Sequence, residues 1–187
     1  MKHAFETLVG EVHAALQAGE QFTLGYSAEQ SQFVRFNHAK VRQAGEVSQA
    51  SAQLRLVRDG RQAEQQVTLS GDLQLDRQRL NVALEQLRQT LPLLALDPYL
   101  RLDENAWHSH SLQEHPLPAL NEVLALLERE AGDLDLVGIY AAGPVCRGFA
   151  SSFGAFGWHQ ANSFNVDWSL FHDNGQAVKA NYAGQVW

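Results

Sequence analysis

SQASAQLRLVRDGRQAEQQVTLS, residues 48–70, consists of two segments in which apolar and polar side chains alternate, joined by Asp59-Gly60. Alternation with a period of two is the mark of a half-buried strand. An aspartate followed by glycine supplies the positive φ angles of a tight two-residue turn. The stretch therefore predicts a β-hairpin. Gln49, Gln53, Gln62, Gln65 and Gln66 occupy its polar positions and mark a solvated sheet face. On the N-terminal side, Phe5, Leu8, Val9, Val12 and Leu16 recur at steps of three and four between His3 and Gln17, and Gly19 follows as a stop, so an amphipathic helix is expected there. Between helix and hairpin, Phe22, Leu24 and Tyr26 alternate with Thr23 and Gly25, and the run QFVRFNHAKVRQ is rich in β-formers. Two or three strands are predicted over this region. On the C-terminal side, Leu80, Ala83, Leu84 and Leu87 share one face of a helix expected from Asp76 to Thr90, with Pro92 just beyond.

From Leu91 to Pro118 the chain carries four of its five prolines and the aperiodic run DENAWHSHSLQEH, which reads as an extended connector. A third helix is expected from Pro118 to Ala131, where Leu120, Val123, Leu124 and Leu127 keep helical spacing and Gly132 follows. LDLVGIYAAG is then a candidate buried strand leading into a glycine-rich loop. Phe164, Val166, Trp168 and Leu170 alternate with polar partners, and Asn174-Gly175 marks a turn into AVKANYAG, a second hairpin. The fold class is α+β, with helices on a mainly antiparallel sheet. Three sections are expected: an N-terminal α+β unit over 1–92, a connector over 93–117 and a second helix-plus-strands unit over 118–187.

Composition narrows the functional classes. A chain of 187 residues with 45% hydrophobic content can bury one sizeable core or two small ones. Fourteen basic residues against 21 acidic give a net charge of -7, which opposes the phosphate neutralisation that dominates nucleic-acid binding. No nucleic-acid partner is expected. The lone Cys146 allows no internal disulfide and no multi-cysteine metal cluster, and no apolar run approaches the roughly 18 residues of a membrane span. No membrane partner is expected, and the cytoplasm is the default compartment. Residues 142–187 are dense in glycine and aromatics and almost free of charge, a pattern of either a fold interior or a contact face for something else. The stretch predicts a continuation beyond Trp187.

Four constellations invite chemical readings. His108, His110 and His115 with Glu104 and Glu114 offer metal-binding types, but the aperiodic segment does not fix ligand geometry. Cys146 beside Arg147 offers a thiolate, against the plainer reading of a small packing residue. Gly143, Gly148, Gly154 and Gly157 do not match a phosphate-binding GxGxxG, and GFASSFG is not the GxSxG elbow of a serine hydrolase. Those glycines are read as backbone devices for bends or close approach. Arg147, Gly148, Trp158, His159, Trp168 and Phe171 are the candidate interface or peptide-binding residues, since arginine and aromatics are enriched at contact surfaces. The structural alternative pairs Arg147 with Asp167 and places Trp158 in a core.

GIYAAGPVCRGFASSFGAFGWHQANSFNVDWSLF resembles the corresponding segment of TldD/PmbA-type proteins, also described as modulators of DNA gyrase. In the N-terminal half Arg35, Phe36, Asn37, Val41 and Gln43, followed by Arg58, Asp59, Gly60 and Arg61, are similar to the strand and turn pattern of that family's opening domain. The resemblance implies a cytoplasmic metallopeptidase system that acts on flexible peptides, with two related subunits or two copies enclosing a chamber. It places the HExxxH helix and later cysteine, which would hold zinc, in the portion beyond the matched region. Neither HExxxH nor HExxH occurs in this chain. No catalytic or metal residue is therefore assigned here, and the chain is expected to be inactive alone. It is expected to form part of the peptide chamber and the subunit interface, with a flexible peptide and a homologous subunit or second copy as partners. The alternative is a freestanding or pseudoenzyme assembly protein without peptidase activity, dimerising through its aromatic C-terminal hairpin.

Overall fold

The computed structural model describes residues 1–172 and 175–187. Among these the chain runs α1 (Lys2–Ala14), β1 (Gln21–Asn37), β2 (Lys40–Arg58), β3 (Arg61–Leu69), α2 (Leu73–Thr90), a 3-10 turn (Leu91–Leu93), β4 (His108–Gln113), α3 (Leu120–Ala131), β5 (Asp135–Ser151), β6 (Phe156–His172) and β7 (Gln176–Gly184). The strands form one hydrogen-bonded sheet in the order β3-β2-β1-β5-β6-β4, with β7 also paired to β6. The α+β class and the mainly antiparallel sheet are as read from the sequence.

At the hairpin, Asp59 and Gly60 adopt φ of +52° and +70°. Left-handed residues at both central positions give the turn whose twist suits paired strands. Register follows from it, with Arg58 opposite Arg61 and Ala50 opposite Leu69. Before it, the chain turns at His38-Ala39, where φ is +52° and +54° at two residues that have side chains. Local contacts hold this costly conformation: the Ala39 N–H donates to Leu136 O at 3.0 Å, and His38 Nδ1 lies 2.9 Å from Asp135 Oδ1. Two long strands, β1 and β2, therefore stand where the sequence suggested two or three shorter ones.

All three helices lie where periodicity placed them. α2 starts earlier than Asp76 because Asp72 caps it, its Oδ1 accepting the Gln74 and Leu75 N–H groups at 2.9 and 3.0 Å. Asp76 turns back instead and accepts the Ser70 N–H, the Ser70 hydroxyl and the Gly71 N–H, which fixes the joint between β3 and α2. In α3 the Glu122 carboxylate accepts the Ala119 N–H at 3.0 Å. β7 pairs with β6 from His172 opposite Gln176 to Phe164 opposite Gly184, as the second hairpin requires. Of its expected turn, Asn174 lies outside the described residues, and Gly175 has φ of +74°.

Two differences from the sequence reading concern glycines and histidines. The expected glycine-rich loop is strand, because β5 continues through Gly143 and Gly148 to Ser151. The connector contains β4, a polar edge strand whose exposed residues carry no apolar alternation to reveal it.

Compactness divides the described chain into two units: Met1–Ala28, Gln49–Ser111 and Cys146–His159 make the first, and Glu29–Ser48, Leu112–Val145 and Gln160–Trp187 the second. Each unit thus collects three separate segments of the chain. In the first, Phe5, Leu8 and Val12 of α1 and Leu80, Leu84 and Leu87 of α2 pack on Phe22, Leu24, Leu54 and Leu56 of the sheet. Each such side chain contributes about 1.5–3 kcal/mol by leaving water. An ion pair ties this layer together. Arg88 Nη2 of α2 donates to Glu20 Oε2 at 2.7 Å and to Ala15 O, just past the end of α1, at 2.6 Å. In the second unit, Val123 of α3 is buried with Val34, Phe36, Leu136, Tyr140, Phe164 and Val166. Burial pushes the Tyr140 hydroxyl pKa above its ordinary value.

Candidate interaction face

Strand parity sorts the candidate residues of the first unit. Cys146 and Ala150 of β5 and Trp158 of β6 belong to the core beneath the helices. Successive side chains alternate across a sheet, so Arg147, Phe149, Gly157 and His159 lie on the opposite, helix-free face. The Ser151 N–H donates to Ala155 O at 3.0 Å and closes the β5–β6 hairpin. Counting back from that bond puts Phe149 across from Gly157 and Arg147 across from His159.

Trp107, just ahead of β4, completes this face. Its carbonyl accepts the Phe156 N–H at 2.8 Å, and its ring lies over Gly157, where an added Cβ would sit 3.0 Å from it. The same ring stacks on Phe149 with centroids 5.9 Å apart and planes 5° from parallel. Both rings keep more than a third of their surface exposed. Arg147 is exposed as well, its Nη1 donating to Cys146 O at 2.9 Å. A stacked aromatic pair beside an arginine and a half-buried imidazole can grip a planar or carboxylate-bearing group from another chain.

The remaining candidates lie elsewhere. Gly148 is on the buried side of β5, where a Cβ would come 2.6 Å from the Phe5 ring. That ring is fully buried, with Tyr26, Phe156 and Trp158 at centroid distances of 5.3, 5.5 and 6.1 Å. Gly148→Ala is accordingly expected to cost about 1–3 kcal/mol through overpacking, measured as a lower urea midpoint. An unchanged midpoint would show that Phe5 yields freely. Trp158 is a core residue, 2% exposed, and its indole N–H has no hydrogen-bond partner. In the second unit Trp168 is half-buried against the core, while Phe171 is exposed at the end of β6. Asp167 pairs with Lys179 at 3.3 Å and leaves Arg147 to its own face.

Cys146 is fully buried, with its Sγ 3.5 Å from Met1 Sδ, and Arg147 projects from the other side of the sheet. The geometry gives no support to a thiolate nucleophile. Burial, with smaller contributions from Cys146 and Asp76, raises the pKa of the nearby Tyr26 hydroxyl. His108 and His110 lie in the first unit, and His115 lies in the second, where its carbonyl accepts the Asn162 amide at 3.0 Å. Among the described residues no group of three histidine, cysteine, aspartate or glutamate side chains is placed to hold a metal ion. No helix among them is long and apolar enough to cross a membrane.

No family profile matches the chain, and no curated protein matches it in sequence. Solved structures do. TldE from Thermococcus kodakarensis aligns over 97% of this chain and 43% of its own, with a TM-score of 0.64 and 17% identity. A candidate modulator of a DNA gyrase from Thermotoga maritima aligns over 96% of this chain and 42% of its own, at 0.63 and 9%. The chain has the TldE-like fold. A further candidate modulator of DNA gyrase, from Bacteroides thetaiotaomicron, covers 99% of this chain and 45% of its own, at 0.59 and 13%. The TldE-like fold therefore accounts for nearly every residue here, while the chain spans less than half the length of these neighbours.

Trp107 and Phe149 went unnoticed in the sequence. The available signal was Gly157 on a strand, since a glycine in a sheet leaves a gap that an aromatic ring from a neighbouring strand can cover.

Proposed function

We propose that this chain is the non-catalytic scaffold region of a TldD/PmbA-like peptidase, contributing to the wall of a peptide chamber and to the contact between subunits. The observation that carries the reading is the fold likeness over 96–99% of this chain against 42–45% of each neighbour. The helix-free face with Arg147, Phe149 and Trp107 supplies a surface for such contacts, and the sheet edges allow extended peptide to pair through backbone hydrogen bonds that tolerate many sequences. Zinc chemistry, on this reading, belongs to sequence outside the stretch described, and the cytoplasm is its compartment.

A purified sample of the chain incubated with casein, with and without added zinc, is expected to give no cleavage. It is expected to co-purify with a complete TldE-like subunit on size exclusion. Chelator-sensitive cleavage by the chain alone would overturn the scaffold reading.

One observation favours a freestanding assembly protein instead. Every residue of β7 from Gln176 to Ala183 is exposed, Val178 and Tyr182 included. Light scattering decides between the two. A discrete homodimer that dissociates in Phe171→Ser, a substitution at an exposed position, would favour assembly. Trp168 is a poorer probe because it also packs on the core.

A further inference from the structure

We propose that the helix-free face of the first unit docks a protein segment presenting an aromatic and an acidic side chain two residues apart. The inference rests on the reading of this face as a contact between chains and names the chemistry of what it contacts. Side chains make this contact from above the sheet, without an added strand at an edge.

Phe149 stands between two glycines. The Ser152 N–H donates to Phe22 O at 3.0 Å, and further back along β5 Gly143 lies against Gln30 and Ser31, so β5 runs antiparallel to β1. Counting from Ser152 and Phe22 places Gly25 beside Phe149 and Ser27 beside Arg147. On the β6 side the Trp107 ring closes over Gly157, where a Cβ would lie 3.0 Å from it. On the β1 side Gly25 has no such cover. A Cβ built there meets only Gln53, its Cβ at 3.8 Å and its carbonyl oxygen at 3.9 Å. Gly25 alternates with the core residues Leu24 and Tyr26, so the gap opens on the helix-free face. A glycine in a sheet leaves room for an aromatic ring, as Trp107 shows on the opposite flank. A second ring, supplied by another chain, fits over Gly25 on the flank of Phe149 that Trp107 leaves open.

Arg147 supplies the second requirement. It is exposed, it donates to Cys146 O, and it forms no ion pair among the described residues. Acidic residues outnumber basic ones 21 to 14 in the chain, yet none reaches this arginine. Its lateral neighbours are Ser27 and His159, and Thr23, Gly25 and Gly157 of the adjacent strands add no carboxylate. A carboxylate from outside therefore meets a guanidinium whose fork is open to it. Gly25 and Arg147 are offset by two strand residues along the sheet, about 7 Å. Alternate side chains of an extended segment laid along β1 span that distance, which sets the spacing of aromatic and acid.

Gly25→Val provides a test that leaves the fold intact. Its Cβ is in ordinary contact with Gln53, and valine suits a strand better than glycine does. Arg147→Glu, at an exposed position, reverses the charge.

Titration of the chain with the peptide Ser-Phe-Val-Glu-Ser, followed by nitrogen-edited NMR, is expected to shift the Gly25 and Phe149 amides and the Trp107 indole saturably. Affinity is expected to fall about tenfold for Ser-Phe-Val-Lys-Ser, the factor that one charge-assisted hydrogen bond carries. Ser-Ala-Val-Glu-Ser is expected to bind more weakly as well. Gly25→Val should weaken binding of the first peptide with Tm unchanged or raised, and Arg147→Glu should reverse the preference between the acidic and lysine-bearing peptides. No binding, equal affinity for the three peptides, or binding indifferent to both substitutions would overturn the proposal. So would self-association that Gly25→Val abolishes in a chain that binds no peptide, since a second copy would then occupy the face. Co-purification with a TldE-like subunit that survives both substitutions, in a chain that ignores the peptides, would sink this inference and leave the scaffold reading standing. Peptide selectivity as expected without any such association would support the inference and count against the scaffold reading.

Discussion

Alanine in place of Gly143 is expected to destabilise the chain by about 3 kcal/mol or more, adding overpacking of about 1–3 to backbone strain of about 1–3. Gly143 has φ of +155°, where side chains are rarely accommodated, and a Cβ would lie 2.0 Å from the Gln30 carbonyl oxygen. The next atoms, Gln30 C and Ser31 Cα at 3.0 Å, are also backbone. No rotamer change relieves such a collision. β5 must move away from β1 in the second unit and surrender ladder hydrogen bonds. Urea unfolding measures the effect, and a loss below about 0.5 kcal/mol would show that the two strands are not held so closely.

Arg88→Ala is expected to cost about 3–5 kcal/mol, the range found when one member of a buried ion pair is removed. The Glu20 side chain is fully buried and that of Arg88 is 14% exposed. Besides Arg88, Glu20 accepts the Gln17 N–H at 2.8 Å, and Arg88 also contacts Glu85. Without the guanidinium, Glu20 would be a buried charge and Ala15 O would lose its donor. pH supplies an independent check. The hydrogen bonds from Arg88 hold the Glu20 carboxyl below its ordinary range, against the opposing effect of burial. A depressed carboxylate pKa stabilises the fold fully above the unfolded value, about 4.3, and the contribution fades as pH falls through the folded value. In Arg88→Ala the strongest lowering influence on Glu20 is lost and burial is opposed only by the Gln17 N–H and the charge of Arg58, so Glu20 takes up a proton more readily and protonation relieves the variant. The stability gap between parent and variant should therefore narrow from pH 7 toward pH 4. A gap that stays constant would mean that the charge of Glu20 is not what the arginine compensates.

Short-range devices were legible in the sequence. Asp59-Gly60 dictates its turn through the φ angles of two adjacent residues, and Leu80, Ala83, Leu84 and Leu87 mark a buried helical face through spacing alone. Gly143 and Gly148 do mark close approach, as read, but not a loop, because the reason for each is distant in the chain. Local rules read them as loop, whereas Gln30 and Phe5 demand the missing Cβ from inside a strand. β4 was hidden by the exposure of an edge strand, which needs no apolar alternation. At the candidate face, residue types singled out Arg147, Gly148, Trp158 and His159 together, and only strand parity separates Arg147 and His159 from Gly148 and Trp158. Trp107 gains its place by lying over Gly157, a contact that no window around either residue contains.

The interleaving of the two units has a consequence for synthesis on the ribosome. Phe5 leaves the ribosome well before Phe156 and Trp158, on which its ring packs and which follow about 150 residues later. At about 5–20 residues per second, roughly 8 to 30 s elapse before those partners are made. Throughout that interval the apolar stripe of Phe5, Leu8 and Val12 lacks part of its cover, so the nascent chain offers chaperones a binding segment in α1.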